Sequence, residues 1–154
     1  MTSRLVSLLV LALLTAACAD TRTDTTAVPT ERRTVHVEWT PIQVRMATTP
    51  EQRKQGLMGV SALADDEGML FVYPDEALRT IWMKNCRMAL DVAFADRTGR
   101  IFQVVTLQPP TATDGQVEQV WSDREAMYVL EMEAGWFERR SLGVGNAIYL
   151  TDKR

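Results

Sequence analysis

Alternating apolar and polar residues run through most of the chain after residue 34 and predict β-strands. Val35, Val37 and Trp39 alternate with His36 and Glu38, and the alternation resumes after Pro41. A continuous apolar run over residues 69–73 predicts a buried strand. Further strand-like segments span residues 79–84, 90–95, 100–107, 127–133 and 147–151.

Two short helices interrupt this strand pattern. Thr49 suits a helix N-cap, Pro50 suits the first helical position, and Gln52 completes a capping box with Thr49. Gly56 follows within two turns and suits the C-terminal cap. Residues 135–140 predict one or two further helical turns.

The turns between these segments predict a mainly β domain with a barrel-like or orthogonally packed sheet. Turn residues occur at 65–68, 74–76 and 96–99, and the last of these predicts a hairpin. Segment 90–95 is expected to pair with segment 79–84 or to lie near it. No βαβ spacing is evident, so a parallel α/β sheet is not expected.

The N-terminus predicts export. Arg4 precedes an apolar run over residues 5–14, which is too short to span a membrane, and small residues then lead to Cys18. This resembles a bacterial lipobox, so residues 1–18 are predicted to be a signal peptide with Cys18 as the lipidation site. Ordinary secretion, with cleavage after Ala19, is the alternative.

This N-terminus predicts a lipid anchor facing the periplasm, with a soluble periplasmic or secreted protein as the alternative. Residues 19–33 are polar and threonine-rich and predict a disordered tether, which places the domain at 34–152. The membrane is thus an expected partner through the anchor.

Charge and cysteine content narrow the function classes. The formal net charge of −3 does not favour a nucleic acid partner, because phosphate binding requires a basic surface. The chain has two cysteines, and processing at Cys18 leaves Cys86 without an intramolecular partner. Cys86 is therefore expected to be a small, partly buried side chain, with a reactive thiol as the less favoured alternative.

Several motifs in fixed order resemble the bacterial family called domain of unknown function 192. They comprise residues 53–58 (RKQGLM), 68–71 (GMLF), 82–85 (WMKN), Leu90-Asp91, 128–131 (YVLE) and Ala134-Gly135. The resemblance covers residues 35–151 and implies a small, β-rich and often exported domain of unestablished activity. Cys86, Ala89 and Asn146 depart from the family pattern, which has a threonine, a proline and an aspartate there.

Four polar or aromatic side chains near two turns are the candidates for ligand binding: Arg53, Trp82, Asn85 and Asp91. Arg53 suits bidentate contact with an anion, with a local ion pair as the alternative. Asn85 and Asp91 each have a structural alternative, as a turn residue and as an acceptor for the backbone of the 85–88 turn. We therefore expect a non-catalytic domain that binds a small ligand or an envelope component.

Two other functions are weighed against ligand binding. Met58 and Met83 offer thioether ligands and His36 offers an imidazole, a combination that suits Cu(I), although these residues lack tight ligand spacing. A hydrolase with paired carboxylates would need Asp91, Glu131 and Asp114 to converge. Common catalytic motifs are absent from the sequence, so neither a cofactor nor a catalytic residue is predicted.

Overall fold

The computed structural model describes residues 31–111 and 116–150. The strands within these ranges are β1 (Arg32–Val37), β2 (Thr40–Ala47), β3 (Glu67–Ala77), β4 (Thr80–Trp82), β5 (Leu90–Ala95), β6 (Ile101–Leu107), β7 (Gln119–Trp121), β8 (Ala126–Glu133) and β9 (Ile148–Tyr149). The helices are α1 (Pro50–Gln55) and α2 (Trp136–Arg139). The predicted signal peptide, Cys18 and almost all of the predicted tether lie outside the described residues.

Seven strands form one curled sheet in the order β6-β5-β8-β3-β2-β1-β9, and β4 pairs with β7 in a separate two-stranded ribbon. The prediction of a mainly β, barrel-like domain with short helices is confirmed. No helix in the described ranges has the length and apolar character needed to cross a membrane.

The large sheet is buried on both faces. Its first face packs against α2 through residues such as Leu70, Leu130 and Trp136. Its second face packs against the residues after α1 and against the β4–β7 ribbon, through residues that include Phe71 and Val129. Because side chains alternate along a strand, neighbouring residues of the central strands enter different cores.

The first helix follows the predicted capping chemistry. The Thr49 side chain accepts a hydrogen bond from the backbone N–H of Gln52, and the Gln52 side chain accepts one in return from the backbone N–H of Thr49. Gly56 ends the helix with φ of 48°, a left-handed conformation that glycine adopts readily. These contacts are local, so the sequence is sufficient to predict them.

Segment 90–95 pairs with β6 and β8. It does not pair with β4 but lies near it, as the second of the two predicted arrangements had it, because Leu90 and Val92 share a core with Ile81 of β4. Two other predictions differ from the structure. The chain does not turn at residues 74–76, because β3 continues to Ala77 through an irregular register with β8. Strands β2 and β3 are parallel and α1 connects them, so one βαβ unit occurs in an otherwise antiparallel sheet.

Candidate functional site

A groove lies where α1 and the loop after it face the β4–β7 ribbon over the second face of the large sheet. We call it the α1 groove. It has an inner cavity of about 50 Å³ and an outer cavity of about 300 Å³. The two cavities adjoin, because they share four lining residues, namely Lys54, Gln55, Met58 and Trp82.

Glu131 on β8 lines the inner cavity and is only 5% exposed. In the strand register it lies opposite Met69 on β3 and Val92 on β5, so its side chain shares the apolar second face. No hydrogen bond or ion pair joins its carboxyl group to any residue in the described part of the chain. Burial therefore raises the pKa of Glu131 to about 8, so at pH 7 this carboxyl group is protonated in most molecules.

The thiol of Cys86 and the phenol of Tyr73, which also line the inner cavity, likewise favour their neutral forms. Burial raises the pKa of the Cys86 thiol to about 11, and the nearby Glu131 contributes in the same direction. Burial likewise raises the pKa of Tyr73, although Arg79 and Arg53 oppose this effect. The thiol lacks the low pKa expected of a cysteine nucleophile.

Arg53 reaches the groove but has structural partners. Its guanidinium donates hydrogen bonds to the carbonyl oxygens of Thr48 at 2.8 Å and Val72 at 2.9 Å. The same group lies 4.8 Å from the ring centroid of Tyr73, and Arg79 lies 3.9 Å from that centroid. Arg53 thus ties α1 to β3 and positions one wall of the groove.

Trp82 and Asn85 lie at the mouth of the groove. Trp82 is 44% exposed, and the Lys84 ammonium lies 5.2 Å from its ring centroid. Asn85 lines the outer cavity with φ of 56°, a left-handed conformation in which asparagine is favoured. The backbone carbonyl oxygen of Asn85 accepts a hydrogen bond from the Gly59 N–H at 3.0 Å, which fixes this turn against the loop after α1.

The structure does not bring Asp91 to the groove. Asp91 lies on the first face of the sheet and is 3% exposed. Its Oδ1 accepts a hydrogen bond from the Thr106 hydroxyl at 2.7 Å, and its Oδ2 accepts one from the Phe137 N–H at 3.4 Å. The carboxylate therefore connects β5 to β6 and to the first turn of α2, rather than accepting from the 85–88 turn as the structural alternative had it.

The metal and paired-carboxylate candidates are also separated. His36 lies on β1 between Pro41 on β2 and Tyr149 on β9, whereas Met58 lines the groove and Met83 is fully buried after β4. Among the described residues there is no group of three or more His, Cys, Asp or Glu side chains arranged to hold a metal ion. Asp91 and Glu131 face opposite sides of the sheet, and Asp114 lies outside the described residues.

Glu131 was not among the four ligand-binding candidates predicted from the sequence. The signal was present, because the alternation places Glu131 on the same strand face as Met127 and Val129. A lone acidic residue on an apolar face is costly unless it has a partner, so it marks a position to examine. The sequence does not show which residues β3, β5 and the β4–β7 ribbon bring around Glu131, because β3, β4 and β5 are distant from it along the chain.

Comparisons with known proteins are consistent with this fold. A crystal structure from Sinorhizobium meliloti 1021, described provisionally as a transcription regulator, is 28% identical with a TM-score of 0.69. The alignment covers 79% of this chain and 95% of the S. meliloti chain. A protein of unknown function from Novosphingobium aromaticivorans DSM 12444 is 23% identical, with a TM-score of 0.69 over 79% of this chain and 90% of its own. A comparison with curated proteins gave no significant match.

The family comparison covers most of the chain. Residues 32–150 match the model of domain of unknown function 192, DUF192, which is described as Uncharacterized ACR. The match contains both helices, the large sheet and all the residues that line the α1 groove. The resemblance predicted from the motifs is confirmed, and the chain belongs to the DUF192 family.

Proposed function

We propose that this chain is a non-catalytic binding protein for a small organic molecule and that the ligand occupies the α1 groove. The unpartnered Glu131 carboxyl group carries the proposal. A buried polar group normally has a hydrogen-bond partner, and Glu131 has none among the described residues although it lines a cavity. A ligand group would supply the missing partner.

The dimensions of the groove also support a small ligand. The outer cavity, at about 300 Å³, lies at the lower end of the range for small-molecule sites. Apolar surface from Trp82 and Met58 combines there with a few polar groups, which is the usual composition of such sites. Arg53 and Asn85 support this proposal as residues that position the walls.

Three alternatives have less support. The separation of Asp91 and Glu131 on opposite faces of the sheet does not favour hydrolysis by a carboxylate pair. The position of His36 on β1 does not favour a Cu(I) site with Met58 and Met83. The S. meliloti protein is described as a regulator, but the net charge of −3 on the present chain does not favour contact with DNA.

We also propose that the chain is exported and held at the membrane by a lipid on Cys18, facing the periplasm. The apolar run and the small residues before Cys18 support this proposal. The intact mass of the mature protein tests it: a lipidated Cys18 as first residue is expected, whereas an unmodified chain starting at Asp20 would indicate soluble secretion.

A fragment screen by two-dimensional NMR on the purified protein tests ligand binding in the groove. We expect bound fragments to shift the indole signal of Trp82, and Trp82→Ala to weaken their binding about tenfold or more. Trp121→Ala is the matched control, because Trp121 lies on the same ribbon, is 60% exposed and lines neither cavity. Equal losses in the two variants, or no bound fragment, would contradict the proposal.

A further inference from the structure

The size of the inner cavity limits what can reach Glu131. A cavity accommodates a water-sized group in roughly 10–15 Å³, so about 50 Å³ holds about three to five non-hydrogen atoms. This is the size of a carboxylate, an amide or an ammonium group. The remainder of any larger ligand must lie in the outer cavity against Trp82 and Met58.

The charges around the groove distinguish between these head groups. Three cationic side chains line the two cavities, namely Arg53, Lys54 and Lys84, and Glu51 is the acidic side chain of the outer lining. Since the Glu131 carboxyl is mostly protonated at neutral pH, it does not offset this positive charge. The groove therefore attracts anions and opposes the entry of a cationic head group.

A protonated carboxyl group also suits an anionic head group chemically. It carries one O–H donor, and no described residue accepts from Glu131. A hydrogen bond from a neutral donor to an ionised acceptor is stronger than one between two neutral groups. Glu131 in its protonated form thus provides a donor at the end of a cavity whose mouth is positively charged.

We propose, building on the proposed function, that the α1 groove binds an amphipathic organic acid with a short hydrocarbon tail. The carboxylate head occupies the inner cavity and accepts a hydrogen bond from Glu131. Lys54 and Lys84 at the mouth compensate its charge, and the tail packs against Trp82 and Met58. No bond is made or broken in the ligand.

This arrangement predicts that affinity falls as pH rises. Ionisation of Glu131 removes the donor and places a second negative charge beside the ligand head. The other groups that face the inner cavity are Arg53 and Lys54 from α1, Tyr73 from β3, and Cys86. Cys86 has a pKa of about 11 and the pKa of Tyr73 is raised, so neither acquires substantial charge below pH 9.5.

Three six-carbon probes separate the possible head groups: hexanoate, hexylammonium and 1-hexanol. We expect hexanoate to bind most tightly at pH 6.5 when binding is measured by NMR titration of the purified protein. With a pKa of about 8 for Glu131, its dissociation constant should rise about 30-fold between pH 6.5 and pH 9.5. The affinity for hexanol should change much less.

Two variants at Glu131 separate the effect of its hydrogen-bond donor from the effect of its titratable charge. Glu131→Gln keeps an N–H donor without a titratable charge, so it should bind hexanoate within about threefold of wild type at pH 6.5 and lose the pH dependence. Glu131→Leu, which has a similar volume, should weaken hexanoate at least tenfold. Trp121→Ala should leave all three affinities unchanged.

The failures of the two proposals are distinguishable. Tighter binding of hexylammonium than of hexanoate, or loss of hexanoate binding in Glu131→Gln, would overturn the organic-acid inference. Binding of unrelated fragments at Trp82 without measurable hexanoate binding would overturn the inference and leave the proposed function standing. Absence of all binding at the α1 groove would overturn both.

Discussion

Each face of the large sheet buries one carboxyl group, and the two groups have different surroundings. Asp91 on β5 and Glu131 on β8 are on adjacent strands, where Asp91 pairs with Met132 and Glu131 pairs with Val92. This offset of one residue sends the two side chains to opposite faces. Asp91 has two hydrogen-bond donors in contact with it, whereas Glu131 has none in the described part of the chain.

The difference shows how hydrogen bonding separates a structural carboxylate from a candidate site. Burying a carboxylate is costly unless hydrogen bonds or an opposite charge compensate it. Thr106 and Phe137 provide that compensation for Asp91, and the carboxylate in turn holds α2 against β5 and β6. Glu131 avoids the cost by retaining its proton, which leaves a polar group available at the cavity.

The largest expected effect is on the pH dependence of stability, tested with Glu131→Gln. The pKa of Glu131 is about 8 in the folded state against 4.5 for the unperturbed group, so between these values the folded chain holds a proton that the unfolded chain has lost. Its contribution to stability is fully present below about pH 4.5 and is lost as pH rises through about 8. At about 1.4 kcal/mol per pH unit, this amounts to on the order of 5 kcal/mol.

Urea unfolding of wild type and Glu131→Gln across pH 5 to 9 measures this effect. We expect the difference in unfolding free energy between the two to move in favour of the variant as pH rises. Glu133→Gln is the control, because Glu133 lies on the same strand but is exposed. If the unfolding free energies of wild type and Glu131→Gln changed with pH in parallel, this would contradict a buried Glu131 that keeps its proton in the folded state.

Replacement of Asp91 by alanine should produce the next largest effect. It leaves the Thr106 hydroxyl and the Phe137 N–H without their acceptor, and hydrogen bonds to charged groups contribute about 1.5–3 kcal/mol each. We expect a loss of about 3 kcal/mol in unfolding free energy at pH 7, measured by urea denaturation. Thr106→Val should lose about 1–2 kcal/mol, and the double variant should lose less than the sum. A loss below 0.5 kcal/mol for Asp91→Ala would contradict a structural role.

The features that depend on nearby residues could be predicted from the sequence. The caps of α1 at Thr49 and Gly56 involve partners within four positions. Alternation also correctly placed Asp91 on the opposite face to Leu90. The partners of Asp91 could not be predicted in this way, because Thr106 and Phe137 are 15 and 46 residues away. Pairing of β5 with β8 is equally non-local, and it decides which groups surround Glu131.

A smaller effect is expected at Arg53, which supports the wall of the α1 groove. Arg53→Met leaves the carbonyl oxygens of Thr48 and Val72 without this donor and should lower the unfolding free energy by about 1–2 kcal/mol. Arg53→Lys should recover part of this loss, because an ammonium group reaches one carbonyl more readily than two. Thermal unfolding of both variants checks the order. Equal stability of Arg53→Met and wild type would free Arg53 for a direct role in binding.

The smallest expected effect is on the reactivity of Cys86. Its pKa depends on the charge of Glu131, which lines the same inner cavity. The thiolate is the reactive form, and ionised Glu131 contributes to the raised pKa of Cys86. At pH 9.5, where Glu131 is ionised in the wild type, Glu131→Gln should speed alkylation of Cys86 by iodoacetamide about two- to threefold. At pH 6.5 the rates should agree, because Glu131 is then uncharged in both proteins. Peptide mass spectrometry follows Cys86 specifically, and a faster reaction of the variant at both pH values would indicate altered packing instead of charge.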